Sequence, residues 1–219
     1  MWKVFPRLGL LKFTFGLFTI LFVSALMLVL SFQFDEPVLS WSRFDVVLKL
    51  VTPVTALFLA LVFTVGRWGW VALWRMPKVG WMLHEKVCPD LNGEWRGSIQ
   101  SNYSVDSGGF TEKDVTVNVD ADLFSVKVNL TSDDGYQSST VVQSEIYRDA
   151  RTDKFYLSYL FEAEVPFPRE SDDRHFEGAA KLEVVMSGCE TKLRGTYFTN
   201  RAWQRGLNTA GTISLKRVG

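Results

Sequence analysis

The chain has 219 residues and a formal net charge of zero, with 24 basic and 24 acidic side chains. That balance excludes a surface built for general adhesion to DNA or RNA, so no nucleic-acid polymer is expected as a partner. Two cysteines, Cys88 and Cys189, exclude a disulfide framework, and His84 and His175 lack partners at metal-ligand spacing, so no metal cofactor is expected.

The first 90 residues hold nine Lys/Arg against five Asp/Glu, whereas the remainder holds fifteen against nineteen. The basic excess flanks two apolar runs. A short arm containing Lys3, Arg7 and Lys12 precedes FTFGLFTILFVSALMLVLSF, which runs uncharged from Phe13 to Phe32. A helix rises about 1.5 Å per residue, so this stretch matches a hydrocarbon core of roughly 30 Å. No small-x-small cleavage site follows it closely, and it is read as an anchor that is retained. A near-neutral loop with Pro37 leads to the second run, LVTPVTALFLALVFTVG, from Leu50 to Gly66. Pro53 removes one amide donor near its start and predicts a kink or an early turn. Arg67, Arg75, Lys78 and Lys86 come next, with Trp68, Trp70 and Trp74 expected at the membrane–water boundary. Residues 1–87 thus read as a membrane anchor: a two-helix transmembrane hairpin with its connector. The basic flanks place both termini in the cytoplasm of a multi-pass membrane protein. The connector predicts either a short interfacial helix ending near Met76 or a continuation of the second helix.

From Asn92 the apolar period changes to two. One face collects Trp95, Gly97, Ile99 and Ser101, and the next runs collect Val115, Val117 and Val119, then Phe124, Val126, Val128 and Leu130. A polar fourth segment spans Tyr136 to Arg148. Four further strands follow, led by Phe155, Phe176, Leu193 and Gly211. Turn signals separate them: SGG at 107–109, SDDG at 132–135, RDARTD at 148–153, PFPRESDD at 166–173 and SG at 187–188. Residues 88–219 therefore predict an all-β, antiparallel, up-and-down barrel of eight strands on the cytosolic side, with a sandwich as the alternative. CPDLNG at 88–93 reads as the linker, and Trp95 as a plug for one barrel end.

No nucleophile–base set stands out, and the chain is not expected to be an enzyme. The paired acids Glu162 with Glu164 and Glu177 with Glu183 read as a wet strand face. Binding is the alternative. In the fourth strand Ser138, Thr140 and Ser144 share one parity, and inward hydroxyls need each other or a polar guest. The loop YFTNRAWQRGLN at 197–208 sets Arg201 and Arg205 around Trp203. Arginine grips phosphate in bidentate fashion and an indole stacks on a base. With Arg96, Arg194 and Tyr159, these residues make the candidate anion and base site; an amphipathic loop docked on its own barrel or on the membrane surface is the competing reading.

The order of parts resembles the membrane-anchored β-barrel effectors of bacterial CBASS anti-phage defence, the Cap15-like group. The resemblance covers the whole chain. It rests on the helical pair, the tryptophan-rich connector, DLNGEWRGS at 90–98 and LRGTYFTNRAW at 193–203. It implies a cytosolic barrel that senses a cyclic di- or oligonucleotide made by a partner CD-NTase cyclase. It further implies self-association into oligomers, disruption of the lipid bilayer and abortive infection. It carries over no ligand set residue by residue. The other reading is a constitutive membrane-anchored adaptor or lipid-binding barrel without nucleotide signalling.

Overall fold

The structure is a computed structural model that describes residues 7–31, 41–86, 88–102, 111–168, 173–187 and 190–218. The expected interhelical loop with Pro37, the SGG turn, the centre of PFPRESDD, Gly188 and Cys189 lie outside the described residues. The chain divides into two compact units, the division falling between Ala72 and Leu73.

In the first unit, α1 (Arg7–Ser31) and α2 (Trp41–Thr64) are helices that meet edge-to-face through Phe18 and Phe58, with ring centroids 5.5 Å apart. Pro53 does not end α2, whose helix carries past it. A π-helical turn, Val65–Gly69, then passes the chain into α3 (Trp70–Arg75). Leu48–Arg75 is consequently one apolar helix of 28 residues, the only one among the described residues long and apolar enough to cross a membrane. The apolar part of α1 includes Thr14–Val29 within a helix of 25 residues. Of the expected pair of spans, the second is a helix of membrane-crossing length that extends beyond Gly66. The connector follows the continuation reading. Met76 interrupts the helix, and Pro77, preorganised for a first helical position, opens α4 (Pro77–Lys86). The three tryptophans also part company: Trp68 is exposed, while Trp70 and Trp74 are buried.

The second unit contains eight strands: β1 (Gly93–Ser101), β2 (Thr111–Ala121), β3 (Val126–Ser132), β4 (Ser138–Arg148), β5 (Phe155–Glu164), β6 (His175–Ser187), β7 (Glu190–Thr199) and β8 (Ala210–Arg217). Each pairs antiparallel with the next, and β1 pairs with β8, closing the barrel. Closure leaves no free sheet edge. The apolar parity predicted for β1, β2 and β5 to β8 points inward. Strand curvature requires glycine at Gly195 and Gly211. A Cβ there would lie 1.9 Å from the Lys181 carbonyl oxygen and 1.8 Å from that of Gln100, respectively.

Two expectations change. Phe124 is not in β3 but exposed in the preceding turn, where Asp122 Oδ1 accepts the Phe124 and Ser125 amides at 2.7 and 2.6 Å. In β4 the register shifts between Val141 and Gln143. This bulge reverses the parity, so buried Ser139 and Ile146 face the same interior although seven residues separate them, while Val142 is turned outward.

The linker is part of the core. Cys88, Pro89 and Leu91 are fully buried, and the Trp95 indole, itself fully buried, donates to the Leu91 carbonyl at 3.0 Å. Trp74 donates to the Cys88 carbonyl at 2.9 Å. Burial pushes the Cys88 thiol up to about 12, which keeps it protonated and unreactive. Replacing Trp95 with alanine should cost about 3–5 kcal/mol, because the hole is too enclosed to collapse. Chemical denaturation followed by far-ultraviolet circular dichroism checks this; an unchanged midpoint would show that the plug is dispensable.

Candidate functional site

The two barrel ends differ in chemistry. At the linker end, Trp95, Val119, Leu157, Leu182, Leu193 and Leu215 fill the interior. At the opposite end a small pocket of about 90 Å³ opens. Its floor is Val115, Leu130 and Ile213, its walls include Tyr159, Phe161, Phe176 and Tyr197, and Lys113 and Arg201 stand among its polar lining.

Several hydroxyls turn inward here, in two kinds of environment. Some are satisfied by the protein. Thr199 and Thr209 share a hydrogen bond of 2.6 Å, Ser132 donates to the Gln137 carbonyl at 3.0 Å, and Tyr197 is hydrogen-bonded to Ser101. Others are not. Tyr159 and Ser139 are buried, and neither hydroxyl has a hydrogen-bond partner among the described residues. Burial alone pushes the Tyr159 phenol up, so it remains a neutral donor. A buried hydroxyl without a partner costs about 1–3 kcal/mol and is rare in native folds, so these two mark where a polar guest or water is accommodated.

The two cations are held differently. Lys113 Nζ lies 2.8 Å from Asp134 and 4.9 Å from the centroid of the Tyr136 ring. Asp134 sits on the β3–β4 turn, where its other oxygen accepts the Tyr136 amide at 3.0 Å. Its carboxyl is held well below the usual range, first by the Lys113 hydrogen bond and then by that from Ser132. The Arg201 guanidinium lies 5.2 Å from the centroid of the Phe176 ring, a cation–π contact that keeps its charge over the pocket. Its position is set by the β7–β8 loop. Ala202 adopts the left-handed conformation, φ 45°, which costs an alanine energy and persists only where neighbours enforce it. Asp173 does so, accepting the Ala202 amide at 2.6 Å and the Arg205 guanidinium at 3.0 Å. Asn200 adds a bond from the Glu177 amide at 2.7 Å. This left-handed residue separates Arg201, turned into the pocket, from Trp203, which is 64% exposed.

Of the residues singled out in the sequence, Tyr159 and Arg201 meet in the pocket. Arg96 lies on the outer face of β1 near the linker end, paired with Glu94 at 2.6 Å. Arg194 is outside on β7, opposite Glu183, and Thr140 is outside on β4, opposite Glu162. Arg205 is engaged by Asp173 outside the pocket. Lys113, Ser139, Phe161, Phe176 and Tyr197 were missed as site residues. A signal for the polar ones existed. In an up-and-down barrel one end receives the C-termini of odd strands and the N-termini of even ones, and inward polar residues recur at those ends: Ser101, Thr111 with Lys113, Ser132, Ser139 and Thr199.

An antiparallel closed barrel with an apolar floor, orphaned hydroxyls and cations at one end is a binding barrel. The family model "Cap15, cyclic dinucleotide receptor domain" matches residues 86–217. The chain is also 32% identical over 217 residues to CD-NTase-associated protein 15 of Escherichia albertii, covering 99% of this chain and 98% of that relative. The chain belongs to the Cap15 family. The matched domain is a receptor domain rather than a catalyst, and no group of three or more His, Cys, Asp or Glu able to hold a metal occurs among the described residues.

The depressed Asp134 carboxyl has a consequence for acid stability. Its contribution is present above the ordinary carboxylate range near 4 and is lost as the pH falls through the lowered native value. Asp134→Asn should therefore flatten the fall in urea midpoint below about pH 4, and parallel pH profiles of the two proteins would show that the pair is inert.

Proposed function

We propose that the chain is a membrane-anchored receptor for a cyclic dinucleotide, and that the pocket at the barrel end remote from the linker is its ligand site. The observation that carries this reading is the coincidence, in one pocket, of two cations with two buried hydroxyls that lack partners among the described residues. Phosphate oxygens suit Arg201, whose guanidinium forms two parallel hydrogen bonds, and Lys113, which contributes a point charge. Flat bases suit the faces of Tyr159, Phe161 and Tyr197, and base or sugar polar groups suit the hydroxyls of Tyr159 and Ser139. Asp134 competes with a phosphate for Lys113, so binding exchanges an internal ion pair for a ligand contact. Arg96, Arg194 and Thr140, on the outer face, take no part, while Arg205 and Trp203 act through the loop that positions Arg201.

In this reading the signal passes from ligand to membrane. The barrel faces the cytoplasm of a bacterial cell. The helix Leu48–Arg75 crosses the inner membrane, and α1 is the second crossing of a hairpin, so both termini stay inside. Binding can act only if free and bound barrels associate differently; tethered receptors are concentrated in the bilayer, so a modest difference suffices. Oligomers formed after a CD-NTase cyclase supplies the ligand then disrupt the membrane and abort infection. The family's description as a cyclic dinucleotide receptor domain and the relative's name, CD-NTase-associated protein 15, support the ligand and its source.

The test is a thermal-shift titration of the purified chain with cyclic dinucleotides of differing bases. Selective binding to the folded state must raise the melting temperature. Lys113→Ala and Arg201→Ala should each weaken binding by tenfold or more, as expected for the loss of a charge-assisted phosphate contact of about 1.5–3 kcal/mol. Arg96→Ala and Arg194→Ala should leave it unchanged. If the outer arginines matter and the inner cations do not, the site is on the barrel wall; if no cyclic dinucleotide shifts the transition, the receptor reading fails.

A further inference from the structure

The outer wall carries a patch that the pocket does not explain. Across three adjacent strands, Leu160 of β5, Ala179 of β6 and Phe198 of β7 stand in register. Leu160 is 51% exposed and Phe198 63%, and the bulge in β4 adds Val142 at 66%. A contiguous exposed apolar row on a soluble surface is unusual and marks a contact site. Its profile is large, small, large. A barrel wall is convex, so two such walls touch first at their middle strands; alanine there permits close approach, and the flanking Leu160 and Phe198 fill the space where the walls curve apart.

The charges around the row indicate which partner fits. On β6, Glu177 and Lys181 lie two residues to either side of Ala179, each about 7 Å along the strand. Glu177 stands directly opposite Glu162 on β5. Like charges opposed across strands are destabilising, and neither carboxylate has an ion partner among the described residues. Lys181, in turn, is held by aromatic neighbours, with Nζ 4.5 Å from the Tyr156 ring centroid and a hydrogen bond to Tyr147. A two-fold axis lying across the strands over Ala179 sets Glu177 of one copy opposite Lys181 of the other, twice. It brings Glu162 beside the same lysine, because Ser158, its counterpart, is the cross-strand neighbour of Lys181. The patch is thus self-complementary, as an isologous contact requires.

We infer that this face of β5, β6 and β7 is the surface through which the barrel pairs with a second copy of the chain. The inference supplies the association step of the receptor reading. The contact is small compared with the roughly 1,200–2,000 Å² of a stable interface and therefore depends on membrane tethering to raise local concentration.

Cross-linking the full chain in proteoliposomes tests it, with and without added cyclic dinucleotides. Ala179→Cys, treated with a short bis-maleimide suited to walls about 10 Å apart, should give dimers well above the parent chain, which retains its natural cysteines. In that background Glu177→Lys or Lys181→Glu alone should lower the yield about tenfold through like-charge opposition, and the two together should restore it. Single reversals without effect, or no restoration in the double variant, would overturn the interface. Thermal shifts with the same dinucleotides separate the two ideas. A retained shift without the charge-swap pattern leaves the receptor and removes the interface, and the pattern without any shift does the reverse.

Discussion

Pairing of β8 with β1 sets the terms for everything else in the barrel. Once the sheet is closed, its interior is a fixed volume, and inward side chains must fill it or leave a pocket. The linker end is filled: Trp95 and the buried Cys88, Pro89 and Leu91 stack into it, with the indole satisfied by the Leu91 carbonyl. The polypeptide that tethers the barrel therefore doubles as its stopper. Space and polar groups are displaced to the far end.

That far end stores unresolved electrostatics. Tyr159 and Ser139 are desolvated without partners among the described residues, and Lys113 is neutralised by Asp134 on a turn, an element that moves more easily than a strand. Arg201 reaches the pocket only because Asp173 holds Ala202 in a conformation that alanine disfavours. In the proposed receptor, a ligand bearing phosphates and polar bases would relieve the first two features and take advantage of the third. Membership in the Cap15 family, with a matched region described as a cyclic dinucleotide receptor domain, agrees with this chemistry.

The inner and outer faces of one strand group are mechanically joined. Tyr159, Phe176 and Tyr197 line the pocket, and the residues immediately after them, Leu160, Glu177 and Phe198, belong to the outer patch. Because strand side chains alternate, a shift that accommodates a guest inside is carried by the same backbone to the outside. In the proposed receptor this adjacency supplies a short route from occupancy to association, with no need for a distant hinge.

The sequence by itself determined the elements and most of the architecture. An uncharged helical run and a period-two series with turn residues at regular intervals are local patterns, and local patterns survive without knowledge of the fold. It determined the inward parity of six strands, because burial on one face demands alternation. Only the tertiary structure decided the parity of β4, where a single-residue bulge reverses every later side chain, and the end of the second apolar run, where a π-helical turn carries the helix on to Arg75. It alone also decided the site. Arg96, Arg194 and Arg201 are chemically alike in the sequence, but the side of the wall on which each lies depends on closure and on one left-handed alanine. Lys113, on β2, reaches the same pocket from 88 positions upstream of Arg201 because closure brings the ends of distant strands together, a relation that no local pattern encodes.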